Sequence, residues 1–339
     1  MTADELFAGL KKGEISLIKS LGVNRALFMK RVLANPRSAW KLVSGLVMWT
    51  LGHFAMKCVV GPVCRFVMWC ILTGDKATGG EDYWLRKRAK AVRVIRRFFP
   101  DQMQGEAPAP DKHGLVVGFN HPTLHEVFGL IAWSLDKYPQ KRNNFPTNLP
   151  WYESICTISH LMEKIGIYIT PLITQSSFDK LVLIHEGDEK KLELISKIRE
   201  VFLSHYFNIA IDFERTGDNT FAAPSAMRQV TIFPGAADYH NNHGKTRLLP
   251  AMSGLMLRIA RANKDRAPNV LFLPVTIIPP RFRLKWVRGL KPFRRFCMII
   301  GRGFSMEEAK ALGRGIDYAF LKRIAENAPE ELWYPKPAA

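Results

Sequence analysis

His121 and Glu126 are the residues whose types and spacing best suit chemistry. An imidazole ionises close to neutral pH, so it can take a proton from a hydroxyl or amine and return it. A carboxylate within reach fixes which ring nitrogen carries hydrogen and stabilises the charged ring. His121 follows the apolar run Leu115–Phe119 and Asn120, and Glu126 comes five residues after it. The run predicts a buried strand. Pro122 suits the first position of a helix, and Asn120 or His121 would cap it. The pair falls at a strand-to-helix turn, with the acid about one and a half helical turns beyond the histidine. A histidine near an acid is also an ordinary polar pair, so spacing alone leaves both readings open. His125, at i+4 from His121, has a zinc-binding spacing. The order H-E-x-x-H is absent and no third ligand stands nearby, so no metal is expected.

The elements that must position this pair alternate. Gly166–Thr170 predicts a strand stopped by Pro171. Lys190–Tyr206 has helical periodicity, with Leu192, Ile195, Ile198 and Phe202 on one face. Gln229–Phe233, Val270–Ile278 and Cys297–Ile300 predict strands, the first ending at Pro234-Gly235. Gly105–Gly114 and Asp136–Pro150 predict connectors. Strands alternating with helices imply an α/β fold with a mixed, partly parallel central sheet flanked by helices. The expected organisation is a helical N-terminal region, 1–80, followed by an α/β domain, 81–339.

The 339 residues are 47% hydrophobic, enough for a substantial core and too many for a disordered chain. The five cysteines form no C-x-x-C framework, which favours a reducing compartment. A formal net charge of +19 attracts polyanions. No zinc-finger, RRM or KH signature is present, so nucleic acid is not the favoured partner.

Residues 40–72 favour an anionic membrane surface. The segment is predominantly apolar and lacks acids, but Lys57 and Arg65 interrupt it. Its longest uninterrupted stretch, Leu42–Met56, falls short of the roughly 20 residues that span a bilayer. Gly61-Pro62 divides it, so Leu42–Met56 and Val63–Leu72 predict an apolar hairpin that enters one leaflet, anchored by Trp40, Trp49 and Trp69. A buried helical pair or one tilted spanning helix are the alternatives. Basic clusters flank it, including Arg86–Arg97, and each cation near an anionic surface adds about 1 kcal/mol. Arg281–Arg295 interleaves cations with Phe282, Leu284, Trp286 and Phe293, a pattern that suits headgroups or single-stranded nucleic acid. The expected location is the cytoplasmic face of the (inner) membrane.

Over about residues 90–305 the chain resembles the glycerolipid acyltransferase superfamily, which contains the 1-acyl-glycerol-3-phosphate acyltransferases. Asn120, His121 and Glu126 match its N-H-x-x-x-x-D motif, with Glu for Asp. GIYITP, Gly166–Pro171, is similar to its second motif but has Thr170-Pro171 where an Arg is expected. Phe233, Pro234 and Gly235 keep part of F-P-E-G-T-R; Ala236 and Ala237 follow, so the acid and Arg are missing. GKTRLLPAMSG keeps Gly244, Lys245, Pro250 and Gly254 of a downstream pattern, Leu273-Pro274-Val275 matches a V-P-V strand, and Ile299–Gly303 resembles the strand after it.

The resemblance implies transfer of a fatty acyl chain from acyl-CoA or acyl-carrier protein to a hydroxyl or amine of a lipid acceptor, with no cofactor. His121 would be the general base and Glu126 its orienting acid. Asn120, Phe233, Pro234, Gly235 and Pro274 would contribute to substrate binding. The missing arginines are those associated with an acceptor phosphate, whose oxygens the Arg fork matches. Lys245, Arg247 or Arg228 would substitute, or the acceptor lacks a phosphate, as an amino-acid lipid does. A catalytically degenerate lipid-binding or scaffold protein of the same fold is the alternative.

Overall fold

The computed structural model describes residues 61–73, 81–108, 114–120, 126–139, 142–148, 161–173, 175–207, 228–232, 270–278 and 295–327, with scattered positions between 9 and 58 and at 159 and 261. The chain forms two compact units. One comprises Met1–Asp75 with Phe145–Tyr206, the other Lys76–Asn144 with Phe207–Ala339.

In the first unit, α1 spans Gly61–Leu72. Pro62 lies in its first turn, where a missing N–H breaks no intrahelical bond. Gly61, Met68 and Ile71 form its buried stripe, while Val63, Phe66 and Trp69 are 57%, 64% and 59% exposed. Trp40, Leu51 and Phe54 are exposed as well. Among the described residues, no helix is long and apolar enough to cross a membrane. Strand β4, Ile167–Leu172, runs through the proline expected to stop it. A proline φ near −65° remains compatible with extended backbone, so Pro171 removes a donor without bending the strand. The turn before β4 needs Gly166, whose φ of +82° is costly for any residue with a Cβ. Helix α4 spans Gln175–Ile184 and α5 spans Glu189–Phe207. The Asp188 carboxylate accepts from the Lys191 N–H at 3.2 Å and so caps the start of α5. Ile195, Ile198 and Phe202 are buried on the expected face.

The second unit is built on a mixed sheet. Helix α2, Glu81–Phe98, precedes β1, Asp101–Gln104, and β2, Gly114–Phe119. Helix α3, Glu126–Lys137, follows, and then β3, Arg142–Asn148, whose first three residues belong to this unit and pair with β5. The remaining strands are β5, Arg228–Ile232; β6, Val270–Ile278; β7, Phe296–Ile300; and β8, Phe304–Ser305. Their order is β1-β7-β6-β2-β5-β3, with β8 also beside β6. Strands β6, β2, β5 and β3 are parallel, and β7 and β8 run antiparallel to β6. The chain ends its described part in α6, Met306–Leu312, a 3-10 turn, and α7, Ile316–Glu326. Ser305 and Glu308 form a capping box at the start of α6.

The core lies along β2 and β6. All six residues of β2 are buried, as expected for a parallel strand covered on both faces. Helix α3 approaches β7 so closely that a Cβ at Gly129 would stand 1.7 Å from the Phe296 ring. Only glycine admits that contact. Phe99 and Phe128 stack beside it, with centroids 4.7 Å apart.

Candidate active site

The point where β2 ends is built with unusual precision. Gly118 pairs with Ile232 of β5 on one side and with Pro274 of β6 on the other. Asn120, the next residue but one, is 4% exposed. Its side-chain N–H donates to the Ile277 carbonyl at 2.8 Å, and its Oδ1 accepts from the Ile277 N–H at 2.6 Å. The amide therefore acts as a surrogate peptide and extends the β2–β6 ladder one step past the strand. Ile277 keeps both backbone groups satisfied, and the chain is clamped immediately before His121. The sequence reading offered Asn120 as a helix cap or a substrate contact; the structure gives its amide to the sheet.

Pro274 has a comparable explanation. It lies mid-strand and buried in β6, between the residues that pair with β8 and those that pair with β7. Its carbonyl accepts from the Gly301 N–H at 2.9 Å. A residue's N–H and C=O point the same way in a strand, so the missing proline N–H faces the chain crossing at Gly301, not β2. The β2–β6 ladder loses nothing. Pro274 packs within the sheet, with Gly301 against it.

The other candidates divide by strand end. Because Gly118 pairs with Ile232, the segment from Asn120 and the segment from Phe233 start from adjacent parallel strands at the same edge. Arg228 opens β5 at the opposite end, next to Arg142. Its backbone stands about six strand residues, or roughly 20 Å, from the level of Asn120, so the structure does not bring Arg228 to that edge. Glu126 is the first residue of α3; its side chain lies outside the described residues, as do His121, Phe233, Pro234, Gly235, Lys245 and Arg247. Thr170, at the position where the resemblance expects an arginine, is buried in β4.

This edge is also where open α/β sheets place ligands. β3, the strand that follows β2 in the chain, lies on one side of it; β7, the strand that follows β6, lies on the other. Adjacent carboxyl ends whose successors diverge leave a crevice between them. Among the described residues, no group of three or more His, Cys, Asp or Glu is arranged to hold a metal.

No family model and no curated protein matches the chain. Among solved structures it is similar to the 1-acyl-sn-glycerophosphate (LPA) acyltransferase PlsC from Thermotoga maritima. That likeness has a TM-score of 0.40 at 8% identity and covers 85% of this chain and 98% of the other. At that identity no residue role passes from one chain to the other.

Proposed function

We propose that the protein is a membrane-associated acyltransferase that moves a fatty acyl chain from a thioester donor, acyl-CoA or acyl-carrier protein, to a hydroxyl or amine of a lipid acceptor. The observation that carries the reading is the edge shared by β2 and β5. The segments beginning Asn120-His121 and Phe233-Pro234-Gly235 start from adjacent strand ends, and Asn120 is clamped by two bonds to Ile277. In this reading His121 removes the acceptor proton as the acceptor oxygen or nitrogen attacks the thioester carbonyl. The new C–O or C–N bond forms, the C–S bond breaks, and the departing thiolate takes the proton back from the imidazolium. Glu126 keeps the ring in the productive tautomer and stabilises its charge. Lys245 and Arg247 are the remaining candidates for an acceptor phosphate, and an acceptor without phosphate fits the missing arginines equally.

Attachment to an anionic membrane is supported by the exposed Val63, Phe66 and Trp69 on α1 together with the net charge of +19. A helix lying in the interface plane needs no spanning length. The expected face is the cytoplasmic one.

The test is acyl transfer in membranes, followed by thiol release. His121→Ala should lower turnover by about 10²–10⁴-fold, with the thermal midpoint unchanged. Undiminished turnover by a folded variant would remove His121 as the base. The acid and arginine expected after Pro234 are missing, with Gly235, Ala236 and Ala237 following it, and this favours a second reading: a lipid-binding protein without turnover. Absence of thiol release from wild type with every donor, alongside retained lipid binding, would select it.

A further inference from the structure

Helix α2 and the end of α3 enclose an open groove of about 690 Å³. Leu85, Ala89, Val92 and Leu135 make its floor apolar, and Arg93, Arg96 and Arg97 stand along it. Built ligand sites have volumes of roughly 300–1,000 Å³. Arg96 is held by Asp101 at 3.0 Å and Asp136 at 3.2 Å. These bonds tie the end of α2 to the start of β1 and the end of α3.

Three other guanidinium groups are differently situated. Arg86, Arg93 and Arg97 are exposed and have no carboxylate partner among the described residues. They recur at i, i+7 and i+11, within about 40° of one line on the helix and over about 16 Å of its length. A small anion would engage one or two of them. A row of that length beside an apolar trough is complementary to a second helix, one with carboxylates at helical spacing and apolar neighbours. A bilayer is a poorer match. Lipid surfaces are met by protruding aromatic side chains, whereas this lining is concave and contains no Trp, Tyr or Phe.

The register places Asp101, the partner of Arg96, relative to the candidate site. Asp101 pairs with Phe296, one residue before Cys297, which pairs with Ile278. Asn120 bonds Ile277. Asp101 and Asn120 therefore lie at the same end of the sheet, three strands or about 14 Å apart across it and about three residues, roughly 10 Å, along it.

We infer that this groove docks an acidic amphipathic helix of a protein acyl carrier, so that the donor is a carrier-protein thioester rather than free acyl-CoA. The identity of the partner rests on the acyltransferase reading; the docking itself is read from the groove. The experiment titrates the full chain into a labelled, acylated acyl-carrier protein that bears an acidic helix. Arg93→Glu/Arg97→Glu should weaken binding by about tenfold or more, and added salt should weaken wild-type binding. Arg93→Lys/Arg97→Lys keeps both charges and should bind within about threefold of wild type. Circular dichroism melts establish that the variants fold. No binding by wild type, or equal binding by the reversed variant, would overturn the inference. So would a reversal that weakens binding to phosphatidylglycerol vesicles but not to the carrier. Thiol release separates the two claims. Acyl-CoA and carrier turnover that are both indifferent to the reversal remove the docking and leave the acyltransferase. Carrier binding that is lost on reversal, with no turnover of either donor by wild type, supports the docking and removes the acyltransferase.

Discussion

The seam between β2 and β6 and the outer face of α1 are similar in composition and opposite in environment. Leu115, Val116, Val117 and Phe119 are fully buried, whereas Val63, Phe66 and Trp69 are more than half exposed. The difference is not in hydrophobicity. A strand has polar backbone edges on both sides, and β2 satisfies them against β5 and β6, which brings its side chains inside. A helix satisfies its own backbone, so one of its faces can remain uncovered without an unpaired N–H. The seam is where the fold is stabilised and the candidate site anchored. The helix face stays exposed.

Four variants test that contrast. Gly129→Ala forces a methyl into the Phe296 ring and should cost about 3 kcal/mol, read from the denaturant midpoint. A cost below half that value means that α3 moves away from β7 freely. Asn120→Ala removes both bonds to Ile277 and strands two buried backbone groups, a loss of about 2 kcal/mol. Acyl transfer should fall further than stability does, because the residue before His121 is no longer held; transfer that simply follows the folded fraction would reduce Asn120 to a structural part. Ser305→Ala removes the cap of α6 and should cost about 1 kcal/mol. A wild-type midpoint would mean that packing alone sets that helix. Phe66→Ser/Trp69→Ser should change stability by less than about 0.5 kcal/mol, yet weaken partition onto anionic vesicles by about tenfold or more. A marked fall in the midpoint would show that this face is covered in the native protein and would dissolve the contrast.

How much was legible follows from which forces act locally. Leu115–Phe119 and Val270–Ile278 announce themselves because a parallel strand buried on both faces must be apolar throughout. The 189–207 helix is visible because one apolar stripe recurs at 3.6 residues. Arg142–Asn148 falls inside the expected connector Asp136–Pro150, and Asp101–Gln104 carries no strand signal, since their polar residues show no such pattern. They are strands because Phe296–Cys297 and Arg228–Val230 supply ladder partners from elsewhere in the chain. The C-terminal helices carry a local signal: Ser305 followed by Glu308 is a capping box in plain sequence. The basic run Arg86–Arg97 looked uniformly available to an anionic surface, yet Lys87 and Arg88 are buried. Helical geometry then separates the outward row Arg86, Arg93 and Arg97 from its neighbours.

The sequence by itself determined the chemistry on offer: a histidine five residues before an acid, the apolar strands that lead to it, a large cationic excess, and the arginines missing at Thr170-Pro171 and after Pro234. Those depend on residue identity and short-range periodicity, which the chain carries in one dimension. Only the tertiary structure decided what the polar groups are for. Asn120 became a ladder rung through a residue 157 positions away, Pro274 became harmless because its absent N–H faces a chain crossing, and Arg228 was set at the far end of the sheet. Each outcome depends on which backbone groups come to face one another, and strand register, not local sequence, sets that.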